Sequence, residues 1–326
     1  MTKVAGVISR TALVLLRKRS AILLLLCISA LLDSVPLAWA ESYTFTTFAV
    51  PDRYSTYAYG INNVGQIVGD VDHGLHGSPG FVLTDGVFQL FNLPGYLGTH
   101  PMAINDVGQI VGYVDFNDSF QPPSHGFLEA NGAITLIDVP GAAATMPLGI
   151  NNAGEIIGTF YTPDAPSNLK TFLYRNGTFT IFNFYGTAIN NIGQIVGPGF
   201  LYTEGVITPI PEFDPEPPSR GRFRPTGIND AGQIVGVTQD RSTQTATLYS
   251  NGVFTYIFEL PVSADEHTFA QGINDAGQIV GYYAGSTGYY GFLATPTTVP
   301  EPTSFALLAA GLAGIGTLIW RKQSSL

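Results

Sequence analysis

The chain holds one cysteine in 326 residues, Cys27, and it falls within a hydrophobic run near the N-terminus. The body of the protein therefore has no disulfide and no thiolate metal site available, and its stability must rest on core burial. Positive charge is scarce too, with 14 Lys and Arg against 24 Asp and Glu. All the acidic residues except Asp33 and Glu301 lie between residues 41 and 298, together with only seven basic ones, so that segment carries −15. Such a surface excludes nucleic acid and anionic lipid as partners, and it repels acidic polysaccharide unless divalent cations bridge the two. Helical patterning is also missing: the chain is rich in Gly (38 residues) and aromatics (12%), which favour strands and turns. No G-x-S-x-G elbow, H-E-x-x-H pair or cysteine nucleophile occurs in the body of the chain.

The two ends read as export signals. Lys3, Arg10, Arg17, Lys18 and Arg19 precede the apolar run at 21–32, AILLLLCISALL, which suits the h-region of a signal peptide. Ala38 and Ala40 flank Trp39 in the small-x-small pattern of a cleavage site, so residues 1–40 are expected to be a signal peptide. At the other end Val299, Pro300, Glu301 and Pro302 are followed by eighteen uncharged residues, 303–320, then by Arg321 and Lys322. As a helix that stretch spans about 27 Å, enough for a thin bilayer. The two prolines mark its start, and the basic pair is a stop-transfer signal kept on the cytoplasmic side.

A VPEP motif, an apolar helix and a basic stop at the C-terminus resemble the PEP-CTERM sorting domain of Gram-negative bacteria that make exopolysaccharide. The resemblance implies recognition by an exosortase-type membrane protease and transient anchoring in the inner membrane through the helix. It further implies removal of the tail 298–326 and delivery to the cell surface or extracellular matrix, where matrix exopolysaccharide is the expected partner.

Between these ends lies an internal repeat. INNVG at 61–65 recurs as INDVG at 104–108, INNAG at 150–154, INNIG at 189–193, and INDAG at 228–232 and 273–277. Each is followed by QIVG, or by EIIG in the third copy, and the first Asn recurs at steps of 43, 46, 39, 39 and 45 residues. Asn at the first turn position, Asn or Asp next and Gly at the fourth fit a type I turn whose last residue takes positive φ. A second hairpin follows in five units, with Asp-Gly, Asn-Gly or Glu-Gly between alternating apolar residues, as in FVLTDGVFQLF at 81–91.

Four short strands per unit, repeated six times, predict an all-β fold: a six-bladed β-propeller over residues 41–297. The last unit ends at GFLA, 291–294, without a fourth strand, and YTFTTFAVP, 43–51, matches the fourth strands of other units. The N-terminal strand is therefore expected to complete the last blade and close the ring. The repeat pattern also resembles the HAF family of extracellular repeat proteins, although the name-giving residues survive only as His125-Gly126-Phe127. No functional residue transfers from that resemblance.

Catalytic candidates are few. The Ser-x-Asp-x-Gly boxes of sialidase-like propellers do not occur. Asp70, Asp72, His73 and His76 lie within seven residues and are the candidate metal site, for Zn²⁺ or Ca²⁺, against the plainer reading of a polar surface loop. The repeated Asn-Asn/Asp pairs either ring one face as ligands or satisfy turn backbone, and repetition in every copy favours structure. Tyr282, Tyr283, Tyr289 and Tyr290 offer sugar-stacking faces or ordinary cross-strand packing. The expectation is a non-enzymatic binding or structural protein, with no cofactor. The alternative is a secreted carbohydrate-active enzyme, a polysaccharide hydrolase or lyase, on the same scaffold.

Overall fold

A computed structural model describes residues 42–52, 55–72, 77–115, 124–212, 222–240, 243–257 and 267–297. Residues 1–40, expected to be a signal peptide, residues 298–326, with the helix expected at 303–320, and His73 and His76 lie outside these. Among the described residues all regular structure is β, in six four-stranded antiparallel sheets.

Blade 1 comprises Ser55–Ile61, Ile67–Asp72, Gly80–Thr84 and Val87–Phe91; blade 2 comprises Gly98–Ile104, Ile110–Asp115, Ser124–Ala130 and Ala133–Ile137. Blade 3 is built from Ala144–Ile150, Ile156–Tyr161, Lys170–Arg175 and Thr178–Phe182. Blade 4 is shortened to Ala188–Ile189, Ile195–Gly197, Phe200–Thr203 and Val206–Pro209, and blade 5 is Arg222–Ile228, Ile234–Asp240, Thr243–Ser250 and Val253–Tyr256. Blade 6 has Thr268–Ile273, Ile279–Gly285 and Gly288–Thr297, and takes its outermost strand, Ser42–Phe48, from the N-terminus. That strand pairs antiparallel from Ser42↔Thr297 to Phe48↔Gly291. The six-bladed propeller closed by its N-terminal strand is therefore the fold.

Local chemistry explains why each unit makes these strands. The glycines ending the six IN[ND]xG turns take φ between 73° and 84°, and each amide bonds back to the first Asn carbonyl, as in Gly108–Asn105 at 3.0 Å. In the outer hairpins both central residues have positive φ, for example Asn131 at 55° and Gly132 at 80°, which is the type I′ geometry that suits strand twist.

The glycine of each QIVG has a different cause. A Cβ on Gly69 would lie 1.9 Å from the Tyr57 carbonyl oxygen, and one on Gly281 would lie 1.9 Å from that of Phe269. The innermost strand leans over this position, and only hydrogen fits beneath it. The core lies between blades rather than within them. Val68 of blade 1 packs with Ile104, Ile110, Val114 and Phe127 of blade 2, and Val280 of blade 6 packs with Phe81 of blade 1. Each fully buried side chain contributes about 1.5–3 kcal/mol, so the blades stabilise one another.

Candidate functional site

The innermost strands surround a central channel, and its two mouths differ. All six strands end in the Asx turns, so the turns gather at one mouth. There the first asparagines, 2–4% exposed, form a closed ring. Asn62 Nδ2 donates to the Asn105 carbonyl at 3.0 Å, and the relay continues through Asn151, Asn190, Asn229 and Asn274 back to the Asn62 carbonyl at 3.1 Å. Each Oδ1 also accepts the amide four residues on, and each Nδ2 donates to the side chain there, as from Asn229 to Gln233 Oε1 at 2.7 Å.

A second ring lies outside the first. The amide of Asn63 donates to Asp106 Oδ1 at 2.8 Å, and the pattern passes through Asn152, Asn191, Asp230 and Asp275 back to Asn63. Burial opposes ionisation of Asp106, but the Asn63 amide and the Asn152 and Asn63 carboxamides outweigh it and hold its carboxyl below the usual range. The Asn-Asn/Asp pairs are therefore spent on structure, and the pocket they line at this mouth holds about 100 Å³.

The opposite mouth breaks the repeat. Four residues before each strand-ending isoleucine, about 16 Å from the turns, stand Tyr57, His100, Met146, Tyr185, Arg224 and Phe269. No two neighbouring blades carry the same residue type here. Between blades 1 and 2, His100 Nδ1 lies 2.5 Å from Asp70 Oδ2 and its Nε2 lies 2.9 Å from Asp115 Oδ2. The Tyr113 ring stacks on the imidazole at 4.8 Å. Tyr59 Oη donates to Asp70 Oδ1 at 3.4 Å, and Ser124 Oγ donates to Asp115 Oδ1 at 3.3 Å.

Burial alone would lower the His100 pKa, but the hydrogen bonds and charges of Asp115 and Asp70 prevail and raise it to about 9. The hydrogen bond from His100 in turn lowers Asp115. Burial, reinforced by Asp70, pushes the Tyr59 and Tyr113 phenols well up, and burial with nearby Tyr57 raises Tyr282 to about 12.

On the other side of blade 1 lies an aromatic cluster. The Tyr57 ring meets Tyr282 edge-on at 5.0 Å and Tyr289 at 5.2 Å, and Phe269 stacks on Tyr282 at 4.7 Å. Strand alternation divides the four tyrosines singled out in the sequence. Tyr282 and Tyr289 join this mouth, whereas Tyr283 and Tyr290 stack on each other at 5.6 Å, Tyr283 against the core of blade 6.

Asp70 and Asp72 share the second strand of blade 1. Asp70 is engaged by His100 of the next blade, 30 residues away. Among the described residues no group of three or more His, Cys, Asp or Glu is arranged to hold a metal. The sequence reading missed His100 and Asp115. The available signal was positional: Asp70 is Tyr113 in blade 2 and Tyr282 in blade 6, and His100 is the one histidine in its ring.

The fold and its closure define a six-bladed β-propeller. Residues 298–323, immediately after its last strand, match the PEP-CTERM protein-sorting motif. That motif implies export across the membrane to the cell surface and recognition by exosortase, a membrane protease. No curated protein matches the chain. Among solved structures, a mutant of AofleA from Arthrobotrys oligospora is 12% identical at a TM-score of 0.47, covering 80% of this chain and 91% of its own. The β-propeller domain of the Trilobed protease from Pyrococcus furiosus is 8% identical at 0.41, covering 76% and 100%. Trypanosoma rangeli sialidase is 9% identical at 0.45, covering 79% of this chain and 60% of that one.

Proposed function

We propose that this protein is a non-enzymatic binding module of the bacterial cell surface or extracellular matrix, engaging matrix exopolysaccharide through the asymmetric channel mouth. In this reading residues 1–40 are a signal peptide cleaved after Ala40, and residues 298–326 are a tail that anchors transiently and is removed. The repeats are of HAF type. The supporting observation is the state of His100. A general base needs a free nitrogen lone pair near neutrality, and both of its ring nitrogens face carboxylates with the ring protonated to about pH 9. The histidine is therefore no general base near neutrality and holds the Asp70 and Asp115 carboxylates in place.

Two measurements test this. Mass spectrometry of protein recovered from the envelope and matrix is expected to show a mature form from Glu41 to near Pro300, and a retained C-terminal helix contradicts the processing. Incubation with the producer's own polysaccharide is expected to give binding without chain cleavage. Turnover would instead establish a polysaccharide hydrolase or lyase.

A further inference from the structure

We infer that the aromatic cluster at the junction of blades 6 and 1 is a stacking platform for neutral pyranose units of a glycan. The inference deepens the binding role proposed above and rests on it. Three observations carry it. First, the cluster is local. The ring position holds Tyr57, His100, Met146, Tyr185, Arg224 and Phe269 around the six blades, so only at the junction of blades 6 and 1 do two neighbouring blades both carry Phe or Tyr there. Second, Tyr57, Tyr282, Tyr289 and Phe269 remain partly exposed, although the interblade core nearby is fully buried. Partly exposed aromatic faces beside polar groups are what the apolar C–H face of a sugar ring requires.

The third observation is the polar frame. Asp72 lies within electrostatic reach of the Tyr57 phenol, and the Tyr282 phenol stays protonated up to about pH 12; Asp70 is buried and held by His100 and Tyr59. Carboxylates accept hydrogen bonds from sugar hydroxyls, and neutral phenols both donate and accept them. Asp72, on a segment carrying −15, repels uronate or sulfated sugars. A quaternary ammonium ligand is the competing chemistry for aromatic rings beside acids. It needs rings spread around a vacant centre, within about 6 Å of the cation on each side. Here the centroids are 5.0–5.6 Å from one another, so the rings fill the space themselves and leave no cage; Tyr57 and Tyr289, inclined by 35°, make the platform, with Tyr282 edge-on to both.

The test is isothermal titration of the surface-recovered protein with laminarin, a neutral glucan, with polygalacturonate as the charged comparison and tetramethylammonium as the cation. Laminarin is expected to bind, and the other two are not. Tyr289→Ala is expected to weaken laminarin binding at least about tenfold without changing the thermal midpoint by more than a few degrees. Tyr290→Ala, on the opposite strand face, should leave affinity unchanged. Equal losses in both variants, no loss in Tyr289→Ala, or polygalacturonate binding as well as laminarin would each overturn the platform. Capture of native matrix glycan without any laminarin binding overturns the neutral-sugar assignment and leaves the binding role standing. Failure to retain any matrix glycan overturns both.

Discussion

Ser42 and Thr297 are cross-strand partners at the outer corner of blade 6, 255 residues apart, with their hydroxyls hydrogen-bonded to each other. Thr297 is the last residue of its strand, and the match to the sorting motif begins at residue 298. Ring closure thus ends directly beside the sorting signal, with no intervening spacer.

Deleting residues 42–48 should leave the Gly288–Thr297 strand as an unpaired edge and expose Phe292 and the core around it. An open edge recruits other strands. The expected outcome is a lower thermal midpoint together with concentration-dependent oligomers in light scattering. A monomer of unchanged stability would show that the closing strand is dispensable.

The clamp at His100 makes stability pH-dependent. An unfolded histidine loses its proton near pH 6.5, whereas His100 keeps its proton in the fold up to about pH 9. Its stabilisation is complete below about pH 6.5, declines as pH rises from there, and is lost as pH passes about 9. The contribution is on the order of 3 kcal/mol, and it is one interaction shared with Asp115, not two. Tyr59, Tyr113 and Tyr282 are all raised and stay neutral through that window. Urea unfolding at pH 6, 7 and 8 should show the decline, and His100→Gln should be less stable at pH 6 and flat to pH 8, below the range in which unfolded tyrosines ionise.

Two glycines of blade 3 separate crowding from backbone strain. A Cβ on Gly158 would lie 2.3 Å from the Met146 carbonyl oxygen, whereas one on Gly154, at φ 74°, would meet nothing closer than 3.9 Å. Gly158→Ala should cost at least about 3 kcal/mol through overpacking, and Gly154→Ala about 1 kcal/mol through left-handed strain. Denaturation midpoints of the two variants check the order.

The asparagine ring predicts a large penalty for a small deletion. Asn229→Ala removes the donor to the Asn274 carbonyl and the acceptor of the Gln233 amide at a site 3% exposed. Stranded buried partners and the broken ring should cost about 2–4 kcal/mol by equilibrium unfolding. Val64→Ala, at an exposed turn tip nearby, is the control and should be neutral within about 0.5 kcal/mol.

The amino-acid sequence alone determined the repeat, both kinds of hairpin, the blade count and the closure by the N-terminal strand. These depend on interactions a few residues long or on counting units: Asn-x-x-Gly and Asn-Gly turns set their own geometry, and a unit missing its fourth strand must find one. The glycine of QIVG was visible as a repeat, but its cause, a carbonyl leaning over from the innermost strand, was not. The grouping of Asp70 and Asp72 with His73 and His76 followed sequence proximity. The fold brings Asp70 to His100, because adjacent blades place their second and innermost strands side by side; His73 and His76 lie outside the described residues. Likewise alternation could divide Tyr282 from Tyr283, but only the ring of blades brings Tyr282 to Tyr57. Local turn chemistry is written in neighbouring residues, whereas a contact across blades is set by how rigid sheets pack, and that is decided only when the ring closes.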